Sequence, residues 1–176
     1  MSKIRKNLSP TEVVTYHNCR LCNAPNMKSV ISLGSQYIND FPEKDNIGKG
    51  VQAPLEIVHC ANCDLAQLKD TAPQELLYSR QYWYRSGVTE TMQRELKDIV
   101  TELQDYVKLE KDDIVLDIGA NDGTMLKYFS EDLIKVGCEP ANNLVEELSK
   151  NCDRVIHDFW SEKAYLDSVQ DLNKKA

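Results

Sequence analysis

Two Cys-x-x-Cys pairs constrain this chain more than any other feature of its sequence: Cys19 with Cys22, and Cys60 with Cys63. One such pair turns two thiolates toward the same ion, and two pairs complete the tetrahedral sulfur shell of a structural zinc. Because all four ligands are thiolates, no coordination position is open to water, and we expect the zinc to be a scaffold. The alternatives are that the cysteines merely pack in small cores, or that a pair acts in redox chemistry.

The segment between the two pairs is longer than the roughly 15 to 20 residues found in the commonest zinc ribbons, so we expect it to contain structure. A β-branched run from Lys28 to Gly34 and an alternating run from Pro54 to His59 predict two short strands. Polar residues and glycines from Phe41 to Gly50 predict a loop between them. With so few large apolar groups, a domain spanning residues 1–71 would take much of its stability from the metal.

Other metal-ligating side chains lie near the cysteines or further along the chain. His17 and His59 are adjacent to the pairs and offer alternative ligands, although four thiolates already suffice. Cys138 and Cys152 have no partner at ligand spacing, and we expect them to be buried as small apolar residues.

Residues 72–110 predict a helical bridge. Ala72 to Tyr82 predicts a short helix, and Thr89 to Val107 a longer one with a single apolar stripe that packs against the following sheet. Between these helices, Tyr82 to Gly87 forms an aromatic and polar loop. Its aromatic side chains either cover a hydrophobic edge or form a ligand wall near the turn described next.

Residues 111–176 predict the start of a parallel sheet. The apolar run from Ile114 to Ile118 is typical of a strand buried on both faces. Gly119 permits a sharp turn after it, and Gly123 permits a helix, Thr124 to Phe129, to begin close to the strand with free amides. The fold class is therefore α/β, a small zinc-binding domain followed by a partial Rossmann-like sheet with helices.

An acid at the end of the second predicted strand favours a nucleoside cofactor. Lys135 to Glu139 predicts that strand, and Glu139 stands 20 residues after Gly119, where a carboxylate accepts hydrogen bonds from ribose hydroxyls. A third strand, Arg154 to His157, places Asp158 at the same edge, where it can meet an adenine amino group. A helix from Leu144 to Leu148 connects these strands, and a further helix begins at Ser161.

Several of these residues also have simpler explanations. Asp117 either anchors the turn or lies near the charged end of the cofactor, Asn121 and Asp122 can be turn formers, and His157 can be an ordinary residue at a strand end. Asn121 stands where a dinucleotide turn, Gly-x-Gly-x-x-Gly, needs its second glycine, which disfavours NAD. S-adenosylmethionine carries no phosphate and tolerates a bulkier turn.

Charge and hydropathy exclude some classes of partner. The net charge of −7 and the pI near 5.0 disfavour sequence-independent nucleic-acid binding, which depends on clustered basic residues. No apolar window is long enough to span a bilayer, and the first residues lack the apolar stretch of a signal peptide. We therefore expect a cytoplasmic protein, in which paired cysteines more often bind metal than form disulfides.

Four segments, taken in order along the chain, resemble the nucleotide-sugar C-methyltransferases, which act on 4-keto deoxysugars. They are the cysteine pairs, the segment Tyr82-Trp83-Tyr84-Arg85-Ser86, the turn Asp117 to Gly123 and the sequence Gly137-Cys138-Glu139-Pro140. The resemblance implies a structural zinc, a nucleotide-sugar substrate and the candidate catalytic residues Tyr82 and Tyr84 facing the sugar. It also implies that S-adenosylmethionine is bound by Asp117, Gly119, Asn121, Gly123 and Glu139.

The resemblance also implies a longer protein. In that family the sheet continues, and a further carboxyl-terminal domain supplies the histidine base, whereas no residue here stands out as a base. We expect a truncated or split relative that is inactive alone. Two alternatives remain, namely a zinc-stabilised interaction module that docks with a partner chain completing the sheet, and an NAD-dependent enzyme.

Overall fold

Two units of different construction make up the chain, residues 1–77 and 78–176. The computed structural model describes residues 12–38, 44–79 and 82–172. The predicted bridge, residues 72–110, is divided between the two units. The first part of the predicted loop Phe41–Gly50 lies outside the described residues, and Lys44–Asn46 forms one 3-10 turn.

Antiparallel strands form the described part of the first unit. In chain order these strands are β1 (Val14–Thr15), β2 (Met27–Tyr37), β3 (Gln52–Cys60), β4 (Ala66–Leu68) and β5 (Asp70–Thr71). One sheet has the order β2-β3-β4, and β1 pairs with β5 in a second, two-stranded sheet. The first sheet carries Cys60 at the end of its central strand, immediately before the second cysteine turn.

Both strands predicted in this unit are confirmed, and both are longer than their sequence signals. β2 continues past Gly34 because that glycine adopts a φ of 68°, within an irregularity of the β2–β3 register between Ser32 and Ser35. Such a bulge lets a strand bend and resume its pairing. Short strands such as β1, β4 and β5 had no recognisable pattern in the sequence, because each spans only two or three residues.

The helix predicted from Ala72 to Tyr82 does not begin at Ala72, and residues 80–81 lie outside the described residues. In the described part of this segment Glu75–Ser79 forms one turn of π-helix, and the carbonyl of Pro73 accepts from the N–H groups of Leu76 and Leu77 at 3.1 and 3.3 Å. A segment this short lacks the repeated backbone hydrogen bonds that offset the cost of nucleating a helix.

A three-stranded parallel sheet forms the centre of the second unit. Its strands and helices are β6 (Ile114–Ile118), β7 (Ile134–Cys138), β8 (Arg154–Ile156), α1 (Glu90–Tyr106), α2 (Val145–Leu148) and α3 (Glu162–Val169). The strand order is β6-β7-β8, with Ile114 opposite Ile134 and Val136 opposite Arg154. All three predicted strands are thereby confirmed, and a parallel register brings their carboxyl ends to one edge.

Apolar side chains cover both faces of this sheet. On one face the buried residues are Val100, Ala120, Leu126, Phe129, Leu133 and Leu148. On the other face they are Ile114, Val136, Cys138, Ile156 and Val169. Helix α3 therefore packs on one side and α1 and α2 on the other, as expected for parallel strands. The predicted burial of Cys138 is confirmed, and Cys152 is half-buried beside the first cluster.

Helix α1 has the predicted bounds but only part of the predicted packing. Its first turn is capped by the Thr89 side chain, which accepts from the N–H of Met92. Within its apolar stripe only Val100 is buried in the sheet core, while Ile99 and Leu103 are 52% and 39% exposed. Half of the stripe, namely Ile99, Leu103 and Val107, is therefore uncovered by the described residues.

The helix predicted from Thr124 to Phe129 is wrong, because only the 3-10 turn Leu126–Tyr128 forms there. The Asp122 carboxylate binds both the N–H and the hydroxyl of Thr124, at 3.1 and 2.6 Å. The N–H of Phe129 then bonds to the carbonyl of Leu126, which ends the turn. The free helix amides expected after Gly123 are therefore missing.

The remaining predicted helices are confirmed. Helix α2 occupies most of the predicted segment, and α3 begins directly after Ser161, whose hydroxyl accepts from the N–H of Ala164 at 3.1 Å. Across the described ranges, no helix combines the length and the apolar character that crossing a membrane requires.

Candidate functional site

Four cysteine side chains converge in the first unit. The sulfur atoms of Cys19, Cys22, Cys60 and Cys63 all lie within 4.8 Å of one another. Two of these contacts are 3.6 Å, and both join one Cys-x-x-Cys pair to the other, Cys19 to Cys63 and Cys22 to Cys60. Redox pairs react within a single Cys-x-x-Cys, so contacts across the pairs favour a shared ion.

The two cysteine turns have the same backbone geometry. In the first, the N–H of Cys19 donates to the carbonyl of Ala24, and the N–H of Asn23 donates to the carbonyl of Cys19, both at 2.9 Å. The second turn repeats both bonds at 2.9 Å, from Cys60 to Leu65 and from Asp64 to Cys60. Asn23 and Asp64 have φ angles of 59° and 60°, a conformation that asparagine and aspartate tolerate well.

The donor set fits a tetrahedral zinc. Zinc–sulfur bonds of about 2.3 Å imply sulfur–sulfur separations of about 3.8 Å, close to the shorter observed contacts. The N–H of Ala24, followed by the Asn62 side chain, lowers the pKa of Cys22 to about 6, which favours the thiolate. Four sulfur ligands leave no position for water, so a bound zinc would be structural.

Neither nearby histidine belongs to this sulfur cluster. The metal-ligating group found within the described residues contains only the four cysteines. His17 is exposed, and His59 Nε2 lies 3.2 Å from the carboxylate of Asp64. The structure therefore gives the four thiolates, without a histidine, as the ligand set.

A second candidate site lies at the carboxyl edge of the parallel sheet. The turn after β6 has three residues with positive φ, namely Gly119 at 81°, Asn121 at 54° and Gly123 at 76°. At Gly123 an added Cβ would lie 2.8 Å from the Cβ of Asn151, so that position needs glycine for space as well as for conformation. The predicted glycine turn is therefore present at the predicted place.

Backbone amides in this turn are bound within the protein. The N–H groups of Gly119 and Ala120 both donate to the carbonyl of Cys138, and that of Gly123 donates to Ala120. The amides of Asn121 and Thr124 donate to the carboxylates of Glu139 and Asp122. These five amides are consequently not arranged to hold a phosphate group.

Glu139 is buried directly after β7, where the sequence placed it. Its Oε2 accepts from the N–H of Asn121 and its Oε1 from the N–H of Ala141, both at 2.9 Å. Each carboxylate oxygen keeps a second lone pair for another donor. Glu139 therefore connects the turn after β6 to the loop after β7.

Asp117 lies one strand away from Glu139 in a different electrostatic environment. Its carboxyl is largely buried, and the described residues provide it with no hydrogen-bond donor. Burial, followed by the negative charge of Glu139, raises the pKa of Asp117 to about 6. A donor-rich or cationic ligand at this edge would relieve that repulsion.

Asp158 follows β8 and is exposed. Its Oδ1 accepts from the N–H of Phe159 at 2.7 Å, and its carbonyl accepts from the thiol of Cys138 at 3.3 Å. Asp117, Glu139 and Asp158 thus come from the ends of three neighbouring strands. His157 precedes Asp158 and is exposed.

The aromatic loop, residues 82–88, contacts the turn after β6. Asn121 accepts from the N–H of Ser86 at 2.9 Å and donates to the carbonyl of Tyr84 at 3.0 Å. The side-chain amide of Asn121 is therefore bound to this loop. Tyr82 is half-buried with its ring 5.9 Å from that of Tyr78, whereas Tyr84 is 49% exposed.

One residue at this edge was missed by the sequence analysis. Asn143 lies between β7 and α2 and hydrogen-bonds to both backbone groups of Tyr82. An isolated asparagine in a polar connection carries no recognisable signal, because its role depends on a loop some 61 residues earlier in the chain.

Comparisons with known proteins agree with the cysteine cluster. Residues 19–78 match the model of a methyltransferase-associated family described as "Putative zinc binding domain". The matched range begins at the first cysteine of the cluster and includes all four. Family match and geometry together support zinc binding by the first unit.

A curated relative extends the likeness beyond that domain. The chain is 29% identical to the C-methyltransferase NovU of Streptomyces niveus over 131 residues, which cover 72% of this chain and 30% of that protein. Together with the family match, this similarity confirms the resemblance to C-methyltransferases. The chain thus corresponds to less than a third of the length of this relative.

Proposed function

We propose that the chain carries the zinc-binding domain and the first part of a Rossmann-like cofactor domain of an S-adenosylmethionine-dependent C-methyltransferase acting on a nucleotide-linked keto sugar. The observation that carries this proposal is the pair of acids Asp117 and Glu139 at neighbouring strand ends. Among the described residues, neither carboxylate forms an ion pair with lysine or arginine. An edge with this charge favours a ligand that brings hydroxyl donors and positive charge.

The charge of the edge distinguishes between the two candidate cofactors. S-adenosylmethionine has a sulfonium, an ammonium and two ribose hydroxyls, whereas a nicotinamide dinucleotide brings an anionic pyrophosphate. A pyrophosphate needs free backbone amides at a glycine turn, and the amides of Gly119 and Gly123 donate to the carbonyls of Cys138 and Ala120. The geometry therefore favours S-adenosylmethionine over NAD.

Each acid has a role in this proposal. Glu139 uses its remaining lone pairs to accept from the ribose hydroxyls, Asp117 faces the positive end of the cofactor, and Asp158 accepts from the adenine amino group. Gly119 keeps the backbone close to the ligand, and Asn121 supports the site through its hydrogen bonds to the aromatic loop. Bound S-adenosylmethionine would supply the methyl group.

On the substrate side, Tyr82 and Tyr84 are proposed to face the sugar. Their hydroxyl groups can donate to or accept from a sugar oxygen. Removing a proton next to the ketone requires a general base, and we assign none to this chain. We therefore expect no turnover by the polypeptide alone, and a reduced, cytoplasmic location that keeps the thiolates available to the metal.

Calorimetry with S-adenosylmethionine and with NAD tests the cofactor. We expect weak binding of S-adenosylmethionine and no heat with NAD. Asp117→Asn should reduce the affinity about tenfold to a hundredfold, because a bond to a charged group contributes about 1.5 to 3 kcal/mol. Asp105→Asn, an equal charge change at an exposed position of α1, is the matched control and should leave the affinity unchanged.

The pH dependence of binding provides a second test. Since burial and Glu139 raise the pKa of Asp117 to about 6, affinity should fall as the pH is lowered through that value. A preference for NAD would contradict the proposal, as would equal losses of affinity in the Asp117 and Asp105 variants. Methylated sugar formed by the pure polypeptide would contradict the expected inactivity.

A second candidate function is an interaction module that docks with a partner chain completing the sheet. Within the described residues β6 pairs only with β7, so its other edge is open, and Ile118 on it is 54% exposed. Gel filtration with a separately produced polypeptide carrying the later strands of a C-methyltransferase is the test. Co-elution with restored methyl transfer would support complementation, and separate elution would exclude it.

A further inference from the structure

We propose that Asn143 is a positioning residue that holds the aromatic loop, residues 82–88, as a preformed wall on the carboxyl edge of the parallel sheet. The proposal rests on the proposed function insofar as Tyr82 and Tyr84 face the sugar. The fixation of the loop follows from contacts within the second unit alone.

Asn143 binds both polar backbone groups of one loop residue. Its Oδ1 accepts from the N–H of Tyr82 at 2.9 Å, and its Nδ2 donates to the carbonyl of Tyr82 at 3.0 Å. The backbone carbonyl of Asn143 also accepts from the guanidinium of Arg85 at 3.2 Å. This paired geometry resembles a strand pairing and needs a side chain with one donor and one acceptor.

The other end of the loop is bound by the turn after β6. The Asn121 side chain binds Tyr84 and Ser86, and Asp122 Oδ2 accepts from the N–H of Gly87 at 2.8 Å. Anchors from the ends of β6 and β7 therefore hold the two ends of one short loop. The side chains of Asn143, Asn121 and Asp122 bind backbone groups of the loop, so they fix its chain path.

The contact at Gly87 is too close for a side chain. An added Cβ there would lie 2.6 Å from Thr124 Oγ1 and 3.0 Å from Asp122 Oδ2. The carbonyl of Gly87 also accepts from Gln93 Nε2 at 2.7 Å, which joins the loop to α1. The loop backbone is thus packed directly on the turn that carries the candidate cofactor residues.

A wall fixed in this way lowers the ordering cost of binding. A loop that is already ordered loses little conformational entropy when a ligand arrives. The side chains of Trp83 and Tyr84 remain 46% and 49% exposed on this fixed backbone. We infer that the loop acts as a rigid wall for the sugar rather than as a lid that closes over it.

Hydrogen exchange on the zinc-loaded chain, without cofactor or sugar, tests the proposal. Asn143→Ala should speed exchange of the Tyr82 amide about tenfold, because it loses its acceptor. Asn143→Asp keeps an oxygen acceptor and should preserve the protection of that amide. The matched control is Asn142→Ala, at the exposed neighbouring position, which should leave the loop unchanged.

Trp83 reports on the same loop by fluorescence. Trp160, the only other tryptophan, is replaced by phenylalanine so that the signal comes from Trp83. Asn143→Ala should lower the steady-state anisotropy of Trp83, and Asn142→Ala should not.

Unchanged exchange of the Tyr82 amide in Asn143→Ala would overturn the proposal. If Asn143→Ala loosens the whole unit, Asn143→Asp tests the proposal instead. Retained protection of the Tyr82 amide in Asn143→Asp supports the anchor, and a loss of protection equal to that in Asn143→Ala overturns it. Neither readout uses S-adenosylmethionine, so a failure of the proposed function would leave this result intact.

Discussion

The two units of this chain achieve stability by different means. In the described part of the first unit the buried apolar side chains are only Cys19, Ala53, Val58 and Cys60, and two of these are metal-ligating cysteines. The described part of the second unit buries thirteen apolar residues, eleven of them on the two faces of a parallel sheet. A metal bound by the four cysteines would therefore take the place of a hydrophobic core in the first unit, whereas the second unit has a core of its own.

The contrast also concerns how sequence encodes each unit. Four cysteines at fixed spacing determine the first unit with few apolar residues, because each metal–thiolate bond is strong and directional. The second unit depends on many weak contacts. One example is the packing of Leu148 on Gly137, which is so close that a Cβ added to Gly137 would lie 2.6 Å from the Leu148 side chain. A single substitution should therefore affect the two units very differently.

Of the substitutions considered, Cys60→Ser should have the largest effect on the stability of the first unit. A small effect would contradict the contrast between a metal-stabilised unit and a unit with an apolar core. We expect zinc to fall from about one ion per chain to none and the strands before Asp70 to unfold, since structural zinc contributes roughly 10 to 16 kcal/mol. The second unit should remain folded. Metal analysis and hydrogen exchange of residues 14–69 and 114–156 measure both outcomes.

Cys152→Ser is the control for that experiment. Cys152 lies outside the cluster and donates to backbone carbonyls, a role that a hydroxyl can keep. This variant should retain its zinc and its folded first unit. Loss of zinc from Cys152→Ser would contradict the four-cysteine ligand set. A folded first unit in metal-free Cys60→Ser would show that the core and not the ion stabilises residues 14–69.

Leu148→Ala makes the converse test in the second unit. Leu148 is fully buried against Gly123 and Gly137, so we expect a loss of about 3 kcal/mol in the free energy of unfolding of this unit, with zinc content unchanged. Denaturant unfolding followed by Trp160 fluorescence, in a Trp83→Phe background, measures it. Leu166→Ala, at a position 47% exposed, should cost less than about 1 kcal/mol.

Asp117→Asn should change the free energy of unfolding least among these substitutions, and it should raise it rather than lower it. The folded-state pKa of Asp117 is raised from 3.8 to about 6, so its charge destabilises the fold above pH 6. This penalty develops between about pH 4 and 6 and is absent when the carboxyl is protonated in both states. The asparagine variant should therefore be more stable by about 1 to 3 kcal/mol at pH 7.5.

That gain in stability should disappear near pH 3.5. Chemical unfolding of both proteins at the two pH values provides the measurement. An equal difference at both values would mean that the substitution acts through packing rather than through charge. A stabilised variant that has also lost cofactor affinity would identify Asp117 as a binding residue that costs stability.

Much of this architecture follows from local patterns. The strands Ile114–Ile118 and Ile134–Cys138 and the helix Glu90–Tyr106 were predicted within one residue at each end, because the period of their apolar residues is that of the element they form. The cysteine spacing predicted the four-sulfur cluster. The glycine turn and the acid after β7 were also found where the sequence placed them.

Other features depend on partners distant in sequence. The segment Thr124–Phe129 has an acceptable helical composition, yet Asp122 binds Thr124 and the chain turns back toward β7 after one 3-10 turn. The pairing of Val14–Thr15 with Asp70–Thr71 involves too few residues to leave a pattern. Neither outcome can be inferred from a short window of sequence.

The sequence by itself determined the ligands of the metal cluster, the strands of the parallel sheet and the position of the acids at its edge. Spacing and periodicity are enough for these features, since each is marked by residues close along the chain, such as the two cysteines of one pair or the apolar residues of one strand. Only the tertiary structure decided that Asn121 and Asn143 bind the aromatic loop and that the described part of the chain offers Asp117 no donor. Hydrogen bonding and burial depend on which distant segments meet, and that is settled only when the chain has packed.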